Sequence, residues 1–149
     1  MLAAKKFQKD ILNLVESNKI AIIRGGTGCG KSSQVPQILL EEYGSQIICT
    51  QPRRLAVVSV ANRVSAERGT VLGEEVGYAI GQRRVSKSYT SILFCTMGIL
   101  LEDLRSNGPS ALDNVKVLIL DECHERSAES DLVLVLNIIN YLLVFSSSF

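Results

Sequence analysis

Gly25-Gly26-Thr27-Gly28-Cys29-Gly30-Lys31-Ser32 is the segment whose residue types and spacing say most about chemistry, because it fits G-x-x-x-x-G-K-[ST]. Glycines let the backbone turn back and aim successive N–H groups at phosphate oxygens. A helix beginning near Lys31 adds the positive end of its dipole. In that setting Lys31 reaches the β- and γ-phosphates, the Ser32 hydroxyl ligates Mg²⁺, and Ser33 follows in the first helical turn. A second group stands after the apolar run Val117-Leu118-Ile119-Leu120, namely Asp121-Glu122-Cys123-His124. One carboxylate there holds Mg²⁺ through its water shell while its neighbour polarises an attacking water, which suits Asp121 and Glu122 respectively. Alone, such a cluster is an ordinary solvated loop at a strand end. Paired with an upstream phosphate loop in a compatible fold, it points to hydrolysis of a nucleoside triphosphate.

These groups need elements to bring them together, and the hydropathy pattern supplies an alternation. Apolar residues at Phe7, Ile11, Leu12, Leu14 and Val15 have helical spacing over Phe7–Asn18, and Lys19–Ile23 is a short β-branched run. Lys31–Tyr43 reads as a helix with Pro36 tolerated in its first turns. Gln46–Thr50 reads as a strand, and Leu55–Arg68 as a helix ending near Gly69. Ser91–Cys95 is a further strand, Met97–Leu104 a helix and Val115–Leu120 a strand. A helix is expected from about Glu129, with Leu132–Phe145 apolar on nearly every face. Apolar strands separated by helices predict a doubly wound α/β domain, with a mostly parallel sheet covered on both faces. In such sheets ligands sit beyond the carboxyl ends of the strands, where both motifs fall.

Composition narrows the classes. The 149 residues are 46% hydrophobic and 21% charged, enough for one packed core and against wholesale disorder. The formal net charge is +1, which excludes a basic tail or an acidic solvating segment as the main theme. The charge is uneven: Met1–Thr70 has 10 basic and 5 acidic residues, and Val71–Phe149 has 6 and 10. Cys29, Cys49, Cys95 and Cys123 form no C-x-x-C pair and only one histidine is present, against a disulfide framework or zinc site. No apolar region follows the lysines of Met1–Asp10, and Leu132–Phe145 falls short of the ~20 residues a spanning helix needs. An intracellular chain without a membrane segment, in cytoplasm or nucleus, is the expectation.

Several ordered motifs resemble the first RecA-like domain of DEAH/RHA-type helicases, ATP-dependent superfamily-two motors that usually act on RNA. They are Gly25–Gln37, Thr50-Gln51-Pro52-Arg53-Arg54-Leu55-Ala56, Thr96-Met97-Gly98-Ile99-Leu100-Leu101 and Asp121-Glu122-Cys123-His124-Glu125-Arg126-Ser127. The resemblance runs from about Leu2 to Leu136. It implies ATP (or another NTP) with Mg²⁺ as cofactors and single-stranded nucleic acid, RNA above all, as partner. It also implies that Arg53, Arg54, Thr96 and Gly98 touch the nucleic-acid backbone. By the same resemblance Arg63 stacks on the nucleotide base, and His124 couples nucleotide binding to nucleic-acid binding. Plainer alternatives stand beside these roles. Arg53 and Arg54 also fit solvated charges, Thr96 fits a helix N-cap, and Arg63 fits an i,i+4 pair with Glu67. The GTPase signatures D-x-x-G and N-K-x-D are absent.

Within the motifs, Gly26, Ser32 and Cys123 are mild departures from the family pattern. Beyond Leu136 the departure is larger: Asn137–Phe149 holds no basic residue, and the S-A-T motif and second RecA-like domain do not follow. This reads as a single incomplete domain over 1–149, from a fragment, splice product or truncated gene. A chain that binds nucleotide, RNA or a partner without turnover is the alternative to a working motor. The missing S-A-T strand is expected to leave a sheet edge unpaired.

Overall fold

The computed structural model describes residues 3–26, 28–122 and 141–146. The elements run α1 (Ala3–Lys6), α2 (Gln8–Ser17), β1 (Ile20–Arg24), α3 (Lys31–Tyr43), β2 (Gln46–Gln51) and α4 (Arg54–Arg68). There follow β3 (Val76–Ile80), β4 (Arg83–Val85), β5 (Ile92–Thr96), α5 (Met97–Asn107), a 3₁₀ turn (Gly108–Leu112), β6 (Val115–Leu120) and β7 (Tyr141–Ser146). The strands form one seven-stranded sheet in the order β1-β7-β6-β2-β5-β3-β4. Every pairing is parallel except β3 with β4.

Side-chain alternation divides the core between the two faces of this sheet. Ile47, Cys49, Ile92, Phe94, Val117 and Ile119 pack with Val15 of α2, Val35 and Leu39 of α3 and Val57, Ala61 and Val64 of α4. Ile48, Leu93, Cys95, Leu118 and Leu120 point the other way, against Leu100 and Leu104 of α5 and Leu112. Helices therefore cover both faces, and β6 is apolar throughout except for the half-buried Lys116, because Val117–Leu120 meets water on neither face. Glycines set helix limits: Gly44 and Gly69 adopt the left-handed conformation that closes α3 and α4. Pro36 sits in the second turn of α3, and the helix continues through it.

Two elements differ from expectation. Residues 76–85 form a hairpin that hydropathy did not single out. Val76–Ile80 is buried on both faces except at its end, whereas Arg83 and Arg84 are exposed, so neither strand alternates. The signal was the Gly81-Gln82 link, because a two-residue turn with positive φ at its first position favours glycine there, and Gly81 has φ 46°. Gly77 permits the close pairing, since a Cβ there would lie 2.5 Å from the Val85 carbonyl oxygen.

The second difference is a correction. Tyr141–Ser146 is not the end of a helix but a strand, hydrogen-bonded to β1 on one side and β6 on the other. A short apolar run carries no periodicity that distinguishes a buried strand from a buried helix. The slot between β1 and β6 decides it, and Phe145 becomes fully buried there. β7 is thus paired on both sides, and among the described residues β1 and β4 are the sheet edges. The rest of the helix expected from Glu129 lies outside the described residues. Among the described residues no helix is long and apolar enough to cross a membrane.

Candidate nucleotide and nucleic-acid site

Because β1, β2, β5 and β6 are parallel, their carboxyl ends share one edge of the sheet, and the motifs gather there. The loop after β1 bends through Gly28 (φ 77°) and Gly30 (φ 94°), conformations that side chains other than glycine rarely adopt. A Cβ on Gly25 would lie 3.1 Å from the Cys29 sulfur and 3.7 Å from Lys31 Nζ. The Ala4 N–H, from α1, donates to the Cys29 carbonyl at 3.2 Å and braces the loop from outside. Lys31 is buried, and its ammonium curls back to donate to the carbonyls of Gly25 at 2.5 Å and Gly26 at 3.1 Å.

Ser32, in the first turn of α3, donates its hydroxyl hydrogen bond to Oδ2 of Asp121. Gln51, the last residue of β2, donates to the same oxygen at 2.5 Å, and the Glu122 N–H donates to Oδ1 at 2.9 Å. Burial pushes the Asp121 carboxyl above its ordinary range. The hydrogen bonds from Ser32 and Gln51 oppose that rise, and the nearby Glu122 charge adds to it. A divalent cation at this carboxylate would favour its ionised form. Ser32 and Asp121 offer hard oxygen donors, which suits Mg²⁺ held by few protein ligands and its own waters. Glu122 has φ 55°, the only positive φ outside glycine among the described residues. Such backbone costs of order 1 kcal/mol or more and is retained where surroundings demand it.

A cleft of about 280 Å³ runs along this arrangement, lined by Gly28, Gly30, Lys31, Ser33, Arg63 and Glu122 among others. Arg63 reaches it from α4, and its Nε also donates to Oε1 of Glu67 at 2.9 Å. The ion-pair alternative for Arg63 is thus realised without removing it from the cleft. Gly26 is exposed. Thr27 and His124 lie outside the described residues, as does Cys123.

A second group lies along the same edge. Gln51 is registered opposite Thr96, the last residue of β5, so the segments carrying Arg53 and Arg54 after β2 and Gly98 after β5 leave the sheet at the same edge. Arg53, Arg54 and Gly98 are exposed. Thr96 stands at the N-cap position of α5 but its side chain makes no cap hydrogen bond, so capping does not account for it. The Arg54 guanidinium lies against the β3–β4 turn, within 3.7 Å of where a Gly81 Cβ would stand. Gln51 and Glu67 were not singled out as site residues by sequence. Their signal is position: Gln51 lies inside the Thr50–Ala56 motif, and Glu67 lies one turn beyond Arg63.

The profile of the DEAD/DEAH box helicases matches residues 5–148. The chain belongs to this family. It is 52% identical over 136 residues to zinc finger CCCH domain-containing protein 4 of Oryza sativa subsp. japonica, covering 89% of this chain and 13% of the relative. To DExH-box ATP-dependent RNA helicase DExH8 of Arabidopsis thaliana it is 51% identical over 128 residues, 86% of this chain and 12% of the relative. To putative ATP-dependent RNA helicase DHX57 of Homo sapiens it is 44% identical over 140 residues, 89% of this chain and 10% of the relative. The chain thus spans about one-eighth or less of the length of these relatives. Family membership agrees with the α/β sheet, which is RecA-like.

Proposed function

We propose that this chain is the nucleotide-binding RecA-like domain of an ATP-dependent RNA helicase, binding ATP with Mg²⁺ and touching single-stranded RNA. The observation that carries the reading is the Ser32–Asp121 hydrogen bond, which joins the phosphate loop to the acidic strand end across 89 positions of sequence. Ser32 and Asp121 would hold Mg²⁺, which supplies charge neutralisation at the phosphates. The loop from Gly25 to Gly30, Thr27 included, surrounds the phosphates with N–H groups. Lys31 gives up its carbonyl partners to meet the β- and γ-phosphate oxygens. Glu122 orients the attacking water and takes its proton, and Arg63 lays its guanidinium on the base. Arg53 and Arg54 bind backbone phosphates, with Thr96 and Gly98 alongside, and His124 couples the two sites.

The names of two relatives quoted above, which call them RNA helicases, favour RNA over DNA. By the family resemblance, the transition-state arginine comes from a second RecA-like domain that these 149 residues do not include. An arginine finger contributes about 10³–10⁵ in rate, so hydrolysis and unwinding require that domain. The test is binding of Mg·ATP and of a labelled single-stranded RNA across a salt series, using the chain and its Arg53→Ala/Arg54→Ala variant. The expected result is saturable nucleotide binding, with RNA affinity weakened uniformly across sequences and a flatter salt slope in the variant. An unchanged salt slope would return both arginines to solvated charges, and absence of nucleotide binding would refute the motor reading.

A further inference from the structure

We propose that Glu67 is a positioning residue, fixing Arg63 at the mouth of the cleft and tying it to the helix that begins at the phosphate loop. The inference rests on the assignment of Arg63 to the nucleotide base. Glu67 Oε1 accepts from Arg63 Nε at 2.9 Å, and Oε2 accepts from Gln34 at 2.7 Å and from Gln37 at 2.9 Å. Arg63 and Glu67 belong to α4, whereas both glutamines belong to α3, so this one carboxylate fastens the two helices. Gln34 is buried at 3% exposure, and its own N–H donates to the Gly30 carbonyl at 2.7 Å. A continuous chain of hydrogen bonds therefore runs from the phosphate loop through Gln34 and Glu67 to Arg63.

An isolated exposed i,i+4 pair stabilises little and leaves both side chains mobile. Three donors from two helices restrict the carboxylate far more. Burial alone would raise the Glu67 carboxyl, but hydrogen bonds from Arg63, Gln37 and Gln34 outweigh it and hold the group below its ordinary value. The geometry of the guanidinium matters too. The bond at Nε lies in the guanidinium plane, so it orients that plane without covering either flat face. Arg63 keeps 55% of its side chain exposed while lining the cleft. It can stack on a base while Glu67 holds it.

The experiment measures affinities of the chain for Mg·ATP and for inorganic tripolyphosphate with Mg²⁺, in wild type, Arg63→Ala, Glu67→Gln and the double variant. Thermal melts check that each variant is folded. Tripolyphosphate has no base, so it reports the phosphate loop alone. Glu67→Gln is expected to weaken ATP by about two- to fivefold, the value of a positioned cation–π contact, and to leave tripolyphosphate unchanged. In the Arg63→Ala background it should add nothing further. Equal weakening of both ligands, or an undiminished loss in that background, would overturn the positioning role. No effect of Glu67→Gln, with ATP selectively weakened by Arg63→Ala, would overturn it as well while sparing the base assignment. If Arg63→Ala itself leaves the ratio of the two affinities unchanged, the base assignment fails and the positioning role falls with it.

Discussion

Replacing Lys31 with alanine tests the phosphate loop most directly, and the geometry sets the size of the effect. A hydrogen bond from an ammonium to a charged acceptor contributes about 1.5–3 kcal/mol. That ammonium, however, also has protein partners, the Gly25 and Gly26 carbonyls at 2.5 and 3.1 Å. Binding exchanges those partners for phosphate oxygens, so only the excess of phosphate over carbonyl counts. The lower part of the range applies, about 1.5–2 kcal/mol, or roughly ten- to thirtyfold in affinity. The assay is a titration of fluorescent nucleotide in Mg²⁺ against both proteins, with a thermal melt confirming that the variant is folded. A folded Lys31→Ala protein with wild-type affinity would refute the placement of phosphates at this loop.

Three further outcomes follow from other contacts. Gln51→Ala removes the 2.5 Å bond to Asp121; the gain in nucleotide affinity on adding Mg²⁺ should shrink by about tenfold, as for a bond to a charged group, with metal-free binding unchanged. Equal titrations with and without Mg²⁺ in variant and wild type would show that Gln51 does not orient this carboxylate. Arg68 grips Glu75 through two bonds, at 2.6 and 2.8 Å, which hold the Glu75 carboxyl below its ordinary value. That contribution is therefore present above the unfolded glutamate pKa of about 4.3 and is lost as pH falls through the lowered folded value. Urea midpoints of wild type and Glu75→Gln should differ at pH 7 and converge as pH falls through that lowered value; a constant gap would remove the ionisation from the account. Phe145→Ala empties a fully buried site on β7 and should cost about 3–5 kcal/mol in urea unfolding, whereas a loss under 1 kcal/mol would deny that this strand is inserted.

Sequence made some of this architecture legible and hid the rest for physical reasons. The bounds of α3 could be read because Gly30 and Gly44 bracket it, and β6 because burial on both faces leaves a run that is apolar except at Lys116. The meeting of Lys31, Ser32, Asp121 and Glu122 at one edge of the sheet was legible because each group follows an apolar strand and, in parallel strands, those ends lie together. The β3–β4 hairpin was not, since β4 is short, charged and stabilised mainly by its partner. Tyr141–Ser146 became a strand only because two distant strands flank it. Gln51 was hidden for the same reason: what gives it a role is a carboxylate 70 positions away.

The place of β7 has a bearing on how the site comes into being. Among the described residues β1 pairs with no strand except β7, and β7 is the last of these strands in sequence. The strand that carries the phosphate loop therefore joins the rest of the sheet through a segment synthesised more than a hundred residues later. Pairings at such sequence separation form slowly, because loop closure must precede any reward from contact. During synthesis or refolding, the Ser32 hydroxyl and the Asp121 carboxylate should come into register late, with the closing of this seam. Nucleotide added to refolding protein should accordingly bind in the slowest kinetic phase. By mass action it then draws the completed sheet out of the partly paired population. A nucleotide bound as proposed would act in that way as the final staple of the fold it depends upon.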